Sequence, residues 1–316
     1  KTQIEINRNL MNDTQYIVAL EICSSKIVGA IAERYPNNAG ILVKVIEEEK
    51  MVNCVRYGCI KNVETTKSAV NRILINLQGQ VANGQIKEMY VGFAGRSVHN
   101  EPIEVSKSMN SDTAITERTL SELLSAARSR KCSPGYEVVD ISTGTYCVDN
   151  ADTLTPIGVF GSNISTQLNQ IVAKQALRTN LNSVLGDLGF TTKGYIVTQI
   201  ALGQYVTKSD ERSLGCVLVD LGAETTSVSI YKGGILKYLN TIPIGGRNIT
   251  RDIMALNVIE EQAESVKKNI ESPLDSKAQN ITIEGVKSNE ARNYIISRTG
   301  EIIANINVQL AYAGYK

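Results

Sequence analysis

Apolar positions along the chain follow two periods. Strand-length alternating runs come first, at residues 16–22, 26–33 and 41–47, separated by the turn signals Cys23-Ser24-Ser25 and Pro36-Asn37-Asn38. A stripe of Val70, Ile73, Leu74 and Leu77 then predicts a helix over about residues 64–78, stopped at Gly79. From residue 87 the texture changes to a short module. It has a strand at 88–94, an extended run near 103–105, a helix N-capped by Thr116 with Ile115 and Leu120 as a hydrophobic staple, and strands near 137–142 and 144–148. Leu168, Val172, Leu177, Leu181, Val184 and Leu188 predict a long helix over about 166–188, ended by Gly189. Three more strands follow at 216–221, 225–231 and 235–240, then helices at about 259–270 and 289–310. Residues 1–14 are polar and irregular and read as a loose extension.

The second triplet of strands repeats the first. Leu218-Val219-Asp220-Leu221-Gly222 lies over Ala19-Leu20-Glu21-Ile22-Cys23: an apolar pair, an acid, an aliphatic residue and a small turn residue. Hydroxyl side chains follow in each, Ser24-Ser25 and Thr225-Thr226. The spacing is far too long for a solenoid, so the repeat predicts two related α/β lobes. A length of 316 residues agrees with more than one core.

Composition narrows the chemistry by exclusion. A formal charge of +1 and the lack of a Lys/Arg block interleaved with aromatics argue against a nucleic-acid groove. The longest apolar runs are strand-length, and no signal peptide opens the chain, which predicts a cytoplasmic protein. Six scattered cysteines without a CxxC pair read as free thiols. The only histidine, His99, leaves little room for a Ser/His or Cys/His triad or a His-rich metal site, and it reads as structural.

What remains is the pair of turns. An acid ending a buried strand is costly unless something pairs it, and two such acids in equivalent places suit Mg²⁺, which is held by one or two carboxylates plus nucleotide phosphates. Small residues after each acid let backbone amides approach phosphate oxygens, and Ser24, Ser25, Thr225 and Thr226 can add hydroxyls. Each turn alone would pass for an ordinary β-hairpin; the matched pair favours phosphate. On the helix at 259–270, Glu264 and Lys267 share a flank, where a Glu could accept from ribose hydroxyls and a Lys stem could cover adenine; a solvated charge pair is the alternative.

Asp220-Leu221-Gly222 with Thr225-Thr226, Ile242-Pro243-Ile244-Gly245-Gly246, Ile249-Thr250-Arg251-Asp252-Ile253 and residues 260–267 together resemble the bacterial cell-division family FtsA. Residues 17–28 and 210–215 continue the likeness, which runs from about Tyr16 to the end. The resemblance implies an actin-like, two-lobed, duplicated ribonuclease-H-type α/β fold with an inserted α+β (IC-type) module. Its expected divisions are lobe I at 15–86 and 167–196, the inserted interaction module at 87–166, and lobe II at 197–246 with a helical part at 247–316. It also implies ATP with Mg²⁺, held by Glu21, Ser24, Ser25, Lys26, Asp220, Gly222, Thr225, Thr226, Gly245, Glu264 and Lys267. Glu21 and Asp220 would organise the metal, through water.

The resemblance further implies an adaptor that polymerises, tethers the tubulin-like FtsZ to the cytoplasmic membrane and recruits later division proteins through the module. Arg298 and Glu301 fall where the family receives the FtsZ C-terminal peptide. The family's late Gly-rich turn and its C-terminal amphipathic membrane helix are expected beyond Lys316. Departures stand at Cys23, Ala223, Glu224, Ser227 and Glu271. A carboxylate at Glu224 would repel phosphates unless Mg²⁺ or an Arg intervenes, and only Gln199 and Glu224 stand as candidates to activate water, so weak hydrolysis at most is expected. Two alternatives share the fold: a pilus-assembly protein binding a membrane partner's peptide, and a small-molecule kinase with Glu224 as base.

Overall fold

The computed structural model describes residues 15–34, 41–50, 54–81, 86, 88–142, 144–270 and 281–315. In chain order the strands and helices begin with β1 (Gln15–Ile22), β2 (Lys26–Arg34), β3 (Ile41–Lys50), the short pair β4 (Val55–Arg56) and β5 (Cys59–Ile60), α1 (Val63–Gln78) and β6 (Glu88–Phe93). Next come β7 (His99–Ala114), α2 (Glu117–Ser129), β8 (Tyr136–Ser142), β9 (Tyr146–Val148), β10 (Ala151–Thr153), β11 (Phe160–Lys174), α3 (Gln175–Gly186), β12 (Thr191–Val197), α4 (Thr198–Val206) and α5 (Ser209–Leu214). The chain continues with β13 (Cys216–Leu221), β14 (Thr226–Lys232), β15 (Ile235–Ile242), α6 (Gly246–Met254), α7 (Glu260–Asn269), β16 (Thr282–Ile283), β17 (Val286–Lys287) and α8 (Ser288–Tyr312). Residues 1–14, the turn at Pro36-Asn37-Asn38 and Glu271 lie outside the described residues.

Two compact units emerge. The first takes the described residues up to Gly95 with Ser133–Val139 and Ala173–Gln204. Its sheet runs β12-β6-β1-β2-β3, with β1-β2-β3 antiparallel and β6 and β12 parallel to β1. Alternation along β1 sends Val18, Leu20 and Ile22 inward. Helix α1 packs on β2 and β3, and α3 packs on α1 and β12. The stripe read from the sequence is buried: Val70, Ile73, Leu74 and Leu77. Asn62 caps α1 by accepting from the Thr65 amide at 2.9 Å. Gly29 lets the helix approach, since a Cβ there would meet Ile73 Cγ2 at 2.4 Å and Leu77 Cδ1 at 2.9 Å.

The second unit holds Arg96–Cys132, Asp140–Val172 and the described residues from Tyr205 onward. Its main sheet runs β10-β9-β11-β7-β15-β14-β13, with β8 beside β11. Strands of the inserted segment therefore join the sheet of the second repeat. Among the described residues Asn240 and His99 pair across β15 and β7, and side-chain amides reinforce that seam. Asn100 accepts from the Leu239 amide (2.7 Å) and donates to Asn169 (2.8 Å), which donates to the Leu236 carbonyl (2.9 Å). Helix α2 covers β7 and β11 through Leu123 and Ala127, with Ile115, Val105, Ile164 and Leu168 in the same core. Thr116 caps α2 as expected, accepting from the Thr119 amide at 3.3 Å. Helices α6, α7 and α8 share a core of Ile253, Ala263, Val266, Ala291 and Ile295.

Two expectations are corrected. The long helix expected at 166–188 is strand β11 to Lys174 followed by α3. Ile164, Thr166, Leu168, Gln170 and Val172 are buried at period two, and Leu168 and Val172 fit either period, so the spacing alone misled. The strand expected to open the module, β6, instead lies between β1 and β12 in the first unit's sheet.

Replacing Gly29 by Ala should destabilise the protein by about 1–3 kcal/mol, the usual effect of overpacking a filled interface. Urea unfolding of parent and variant tests this, and an unchanged midpoint would show that α1 yields without cost.

Candidate functional site

The two turns match in geometry as well as in sequence. In the first, Glu21 stands opposite Val28 and Ile22 opposite Ile27. In the second, Asp220 stands opposite Ser227 and Leu221 opposite Thr226, the same spacing. The Cys23 amide donates to the Lys26 carbonyl at 2.9 Å, and the Gly222 amide donates to the Thr225 carbonyl at 2.9 Å. Each strand thus delivers its acid one residue before the last strand position, at the mouth of a closed four-residue turn.

The first turn is partly committed to structure. Ser24 is buried and its Oγ accepts from the Gly58 amide at 2.9 Å, tying the β4–β5 turn beside it. Lys26 Nζ pairs with Glu48 at 2.7 Å, and that bond raises its pKa above the ordinary value. Ser25 makes no hydrogen bond with another described residue, so its hydroxyl is open. Glu21 likewise makes no ion pair or hydrogen bond among the described residues. A Cβ on Gly92 would stand 3.2 Å from both Glu21 Cγ and Thr198 Oγ1. The first unit therefore places Glu21 beside the start of α4, where Thr198 Oγ1 is buried without a partner and Gln199 is buried next to it. Glu21, Gly92 and Thr198, with Ala19, Val28, Ala30, Tyr90 and Ile196, line a cavity of about 270 Å³. Gly92 and Thr198 were missed by the sequence reading, because only the strand order puts them beside Glu21.

In the second unit, Gly245 sets the geometry. A Cβ there would stand 2.5 Å from the Gly222 oxygen and 2.8 Å from Ala223 backbone atoms, so only glycine fits. The close approach lets the Gly246 amide donate to the Gly222 carbonyl (2.9 Å) and the Arg247 amide to that of Ala223 (2.6 Å). Thr226 Oγ1 donates to the Ile244 carbonyl at 2.7 Å. Thr226 is thus a structural anchor in this arrangement, whereas Thr225 and the Ala223 amide keep open donors. Asp220 has no partner among the described residues, and burial pushes its carboxyl pKa up. An orphaned, half-buried carboxylate beside open amides fits Mg²⁺ with phosphate oxygens.

Glu264 and Lys267 meet this site from α7. Lys267 Nζ donates to Glu264 (2.6 Å), Thr250 Oγ1 (2.9 Å) and the Gly246 carbonyl (3.2 Å), and Thr250 Oγ1 donates to Glu264 (2.7 Å). Burial raises the Glu264 pKa, but the bonds from Lys267 and Thr250 outweigh it and hold the carboxyl below its ordinary value. Glu224 is fully buried and ion-paired to Arg251 at 2.6 Å and Arg247 at 3.6 Å. An Arg does intervene, and a carboxylate so engaged is poorly placed to act as a base.

Arg298 and Glu301 pair on α8 as expected. Arg298 is not merely a surface partner, however: its Nε and Nη2 fork onto Asp252 of α6 at 2.6 and 2.8 Å. That bidentate bond raises its pKa and makes Arg298 part of the α6–α8 packing. His99 is held by the Ser97 carbonyl at 3.0 Å and Glu101 at 3.5 Å, and all six cysteines are free thiols.

The arrangement can be compared with known proteins. The family model described as "Cell division protein FtsA" matches residues 217–299, and that described as "SHS2 domain inserted in FTSA" matches residues 95–172. The cell division protein FtsA of Porphyromonas gingivalis is 30% identical over 270 residues, covering 82% of this chain and 56% of that protein. The chain belongs to the FtsA family. FtsA of Escherichia coli K12 is 23% identical over 266 residues, covering 81% of this chain and 60% of its own length. This FtsA-family chain thus spans roughly 56–60% of the length of these curated relatives. Among solved structures, the PilM-PilN type IV pilus biogenesis complex superposes with a TM-score of 0.63 at 15% identity, covering 94% of this chain and 76% of that one. That likeness, together with the SHS2 match at residues 95–172, supports the fold: actin-like, mixed α/β, with an inserted SHS2 domain. Among the described residues no helix is long and apolar enough to cross a membrane.

Because burial raises the Asp220 pKa, the native state binds an extra proton between the unfolded value, about 3.9, and the raised one. Stability therefore falls as pH rises through that window and stays lowered above it. Without nucleotide, Asp220→Asn should raise the melting temperature by a few degrees at neutral pH, with the gain vanishing toward pH 3. Calorimetric scans across pH read this directly, and a variant that melts lower at pH 7 would show that the carboxylate has a stabilising partner.

Proposed function

We propose that this chain acts in cell division as the nucleotide-binding body of an FtsA-type adaptor. In this reading each unit offers one of the two matched turns to ATP with Mg²⁺. Asp220 and Glu21 organise the metal through water, and open donors at Ser25, Ala223 and Thr225 meet phosphate. Gly222 and Gly245 provide the close approach, and Glu264 and Lys267 turn to ribose and adenine on binding. The observation that carries it is the shared turn geometry, with equal register and, at the same position in each, an acid that has no hydrogen-bond or ion-pair partner among the described residues. A partly buried acid without a protein partner is a candidate for a functional site.

The adaptor reading adds the family's partners. FtsZ would be received through its C-terminal peptide at Arg298 and Glu301, copies of the chain would assemble into filaments, and the inserted domain would meet later division proteins. In the same reading the whole protein lies at the cytoplasmic face of the membrane. Engagement of Glu224 by two arginines supports binding over turnover, with hydrolysis slow at most. A test deletion of the inserted domain should span residues 95–172, since one beginning at Lys87 would remove β6 from the first unit's sheet.

Asp220→Ala should abolish Mg²⁺-dependent ATP binding, a loss of at least tenfold in affinity, while circular dichroism stays unchanged. Isothermal titration with and without Mg²⁺ decides it, and unchanged affinity would remove Asp220 from the site. For the peptide surface, Glu301 is the cleaner probe, because Arg298 is bound to Asp252. Glu301→Lys should weaken binding of a labelled FtsZ C-terminal peptide by about tenfold, or 1.4 kcal/mol. Equal anisotropy curves for parent and variant would return this pair to an ordinary surface contact.

A further inference from the structure

The second turn contains a charge cluster that nucleotide binding, as read above, does not use. Glu224 is 1% exposed; its Oε1 accepts from Arg251 Nη2 at 2.6 Å and lies 3.6 Å from Arg247 Nη1. Arg247 reaches on to Glu260 of α7 at 3.1 Å, while Arg251, one helical turn along α6, is 35% exposed. The shape of the turn does not depend on this carboxylate. Three backbone bonds, Gly222 to Thr225, Gly246 to Gly222 and Arg247 to Ala223, already fix residues 222–225, and Gly245 leaves no space for another arrangement. What Glu224 does is engage one nitrogen of each of two guanidinium groups, next to a turn whose amides at Ala223 and Thr225 are open.

We propose that Arg251 is a polyphosphate-binding residue of the second turn and that Glu224 is a resident anion competing for it. The inference rests on the nucleotide reading above. A guanidinium fork takes a carboxylate or a phosphate with the same geometry, so the two anions are alternatives for one donor set. Arg251 is the arm that can move, being partly in solvent, whereas Arg247 is pinned by its own amide bond to Ala223 and by Glu260. When Arg251 turns to a phosphate, Arg247 stays with Glu224, which avoids leaving a buried carboxylate without a cation. Exchange of one anion for another lowers the apparent affinity for the ligand by the fraction of molecules in which Arg251 is free. A polyphosphate of high charge shifts that balance, and a monoanion does not.

The test uses inorganic tripolyphosphate, which needs no nucleoside contacts, alongside Mg·ATP, both by isothermal titration. Glu224→Gln keeps the shape of the side chain and removes its charge. It should bind tripolyphosphate at least tenfold more tightly than the parent, and adding Arg251→Ala should cancel the gain. Equal or weaker binding by Glu224→Gln, with measurable binding by the parent, overturns the proposal and leaves the nucleotide reading standing. Lack of binding of either ligand by parent and variant overturns both. Should Glu224→Gln fail to fold, the parent gives the same information through the Nε–H resonance of Arg251. A shift that saturates with tripolyphosphate supports the exchange, and a resonance unmoved at saturation overturns it.

Discussion

The site in the second unit depends on one steric constraint, the contact of Gly245 with the backbone of Gly222 and Ala223. With no side chain at 245, the start of α6 lies directly on the turn after Asp220, and two amides of the helix satisfy two carbonyls of the turn. Everything nearby is placed by that contact. Thr250 and Lys267 converge on the Gly246 carbonyl, Arg247 and Arg251 reach back to Glu224, and Arg298 anchors α8 to Asp252 on the same helix. Any larger residue at 245 would push α6 outward and loosen all of these pairs together.

Electrostatically the turn is divided in two. Glu224 is buried and doubly paired, an arrangement in which the charge is tolerated because its cations are adjacent. Asp220, one residue before Leu221 and opposite Ser227 in the ladder, carries a raised pKa and has no partner among the described residues. The fold has satisfied one acid and left the other open within four residues of chain.

Much of this was legible in the sequence where period and spacing are local. The paired strands, the α1 stripe, the Thr116 cap and the equivalence of Glu21 with Asp220 all follow from runs of under ten residues, and the ladder registers agree with them. Residues 166–174 failed because Leu168 and Val172 satisfy both helical and strand periods, and only the long pairing of β11 with β7 chooses between them. Long-range partners were not readable. Glu224 meets Arg251 across 27 residues and Arg298 meets Asp252 across 46, and neither separation carries a sequence signal. The i,i+4 spacing of Arg247 and Arg251 was the one available hint that a buried anion faced α6. Gly92 and Thr198 became neighbours of Glu21 only through the order β12-β6-β1.

The seam between β15 and β7 has a mechanical meaning. Among the described residues the ladder pairs Asn240 with His99, and the amide side chains of Asn100 and Asn169 add to that grip. A tug on the inserted domain would load those few bonds in shear, in the manner of a perforated line between two sheets of paper. Force applied through whatever the domain holds would arrive at β15, the strand whose end leads through Ile242 and Ile244 to Gly245. The inserted domain is in this sense a lever whose fulcrum lies five residues from Gly245, the residue that rests on the turn it could disturb.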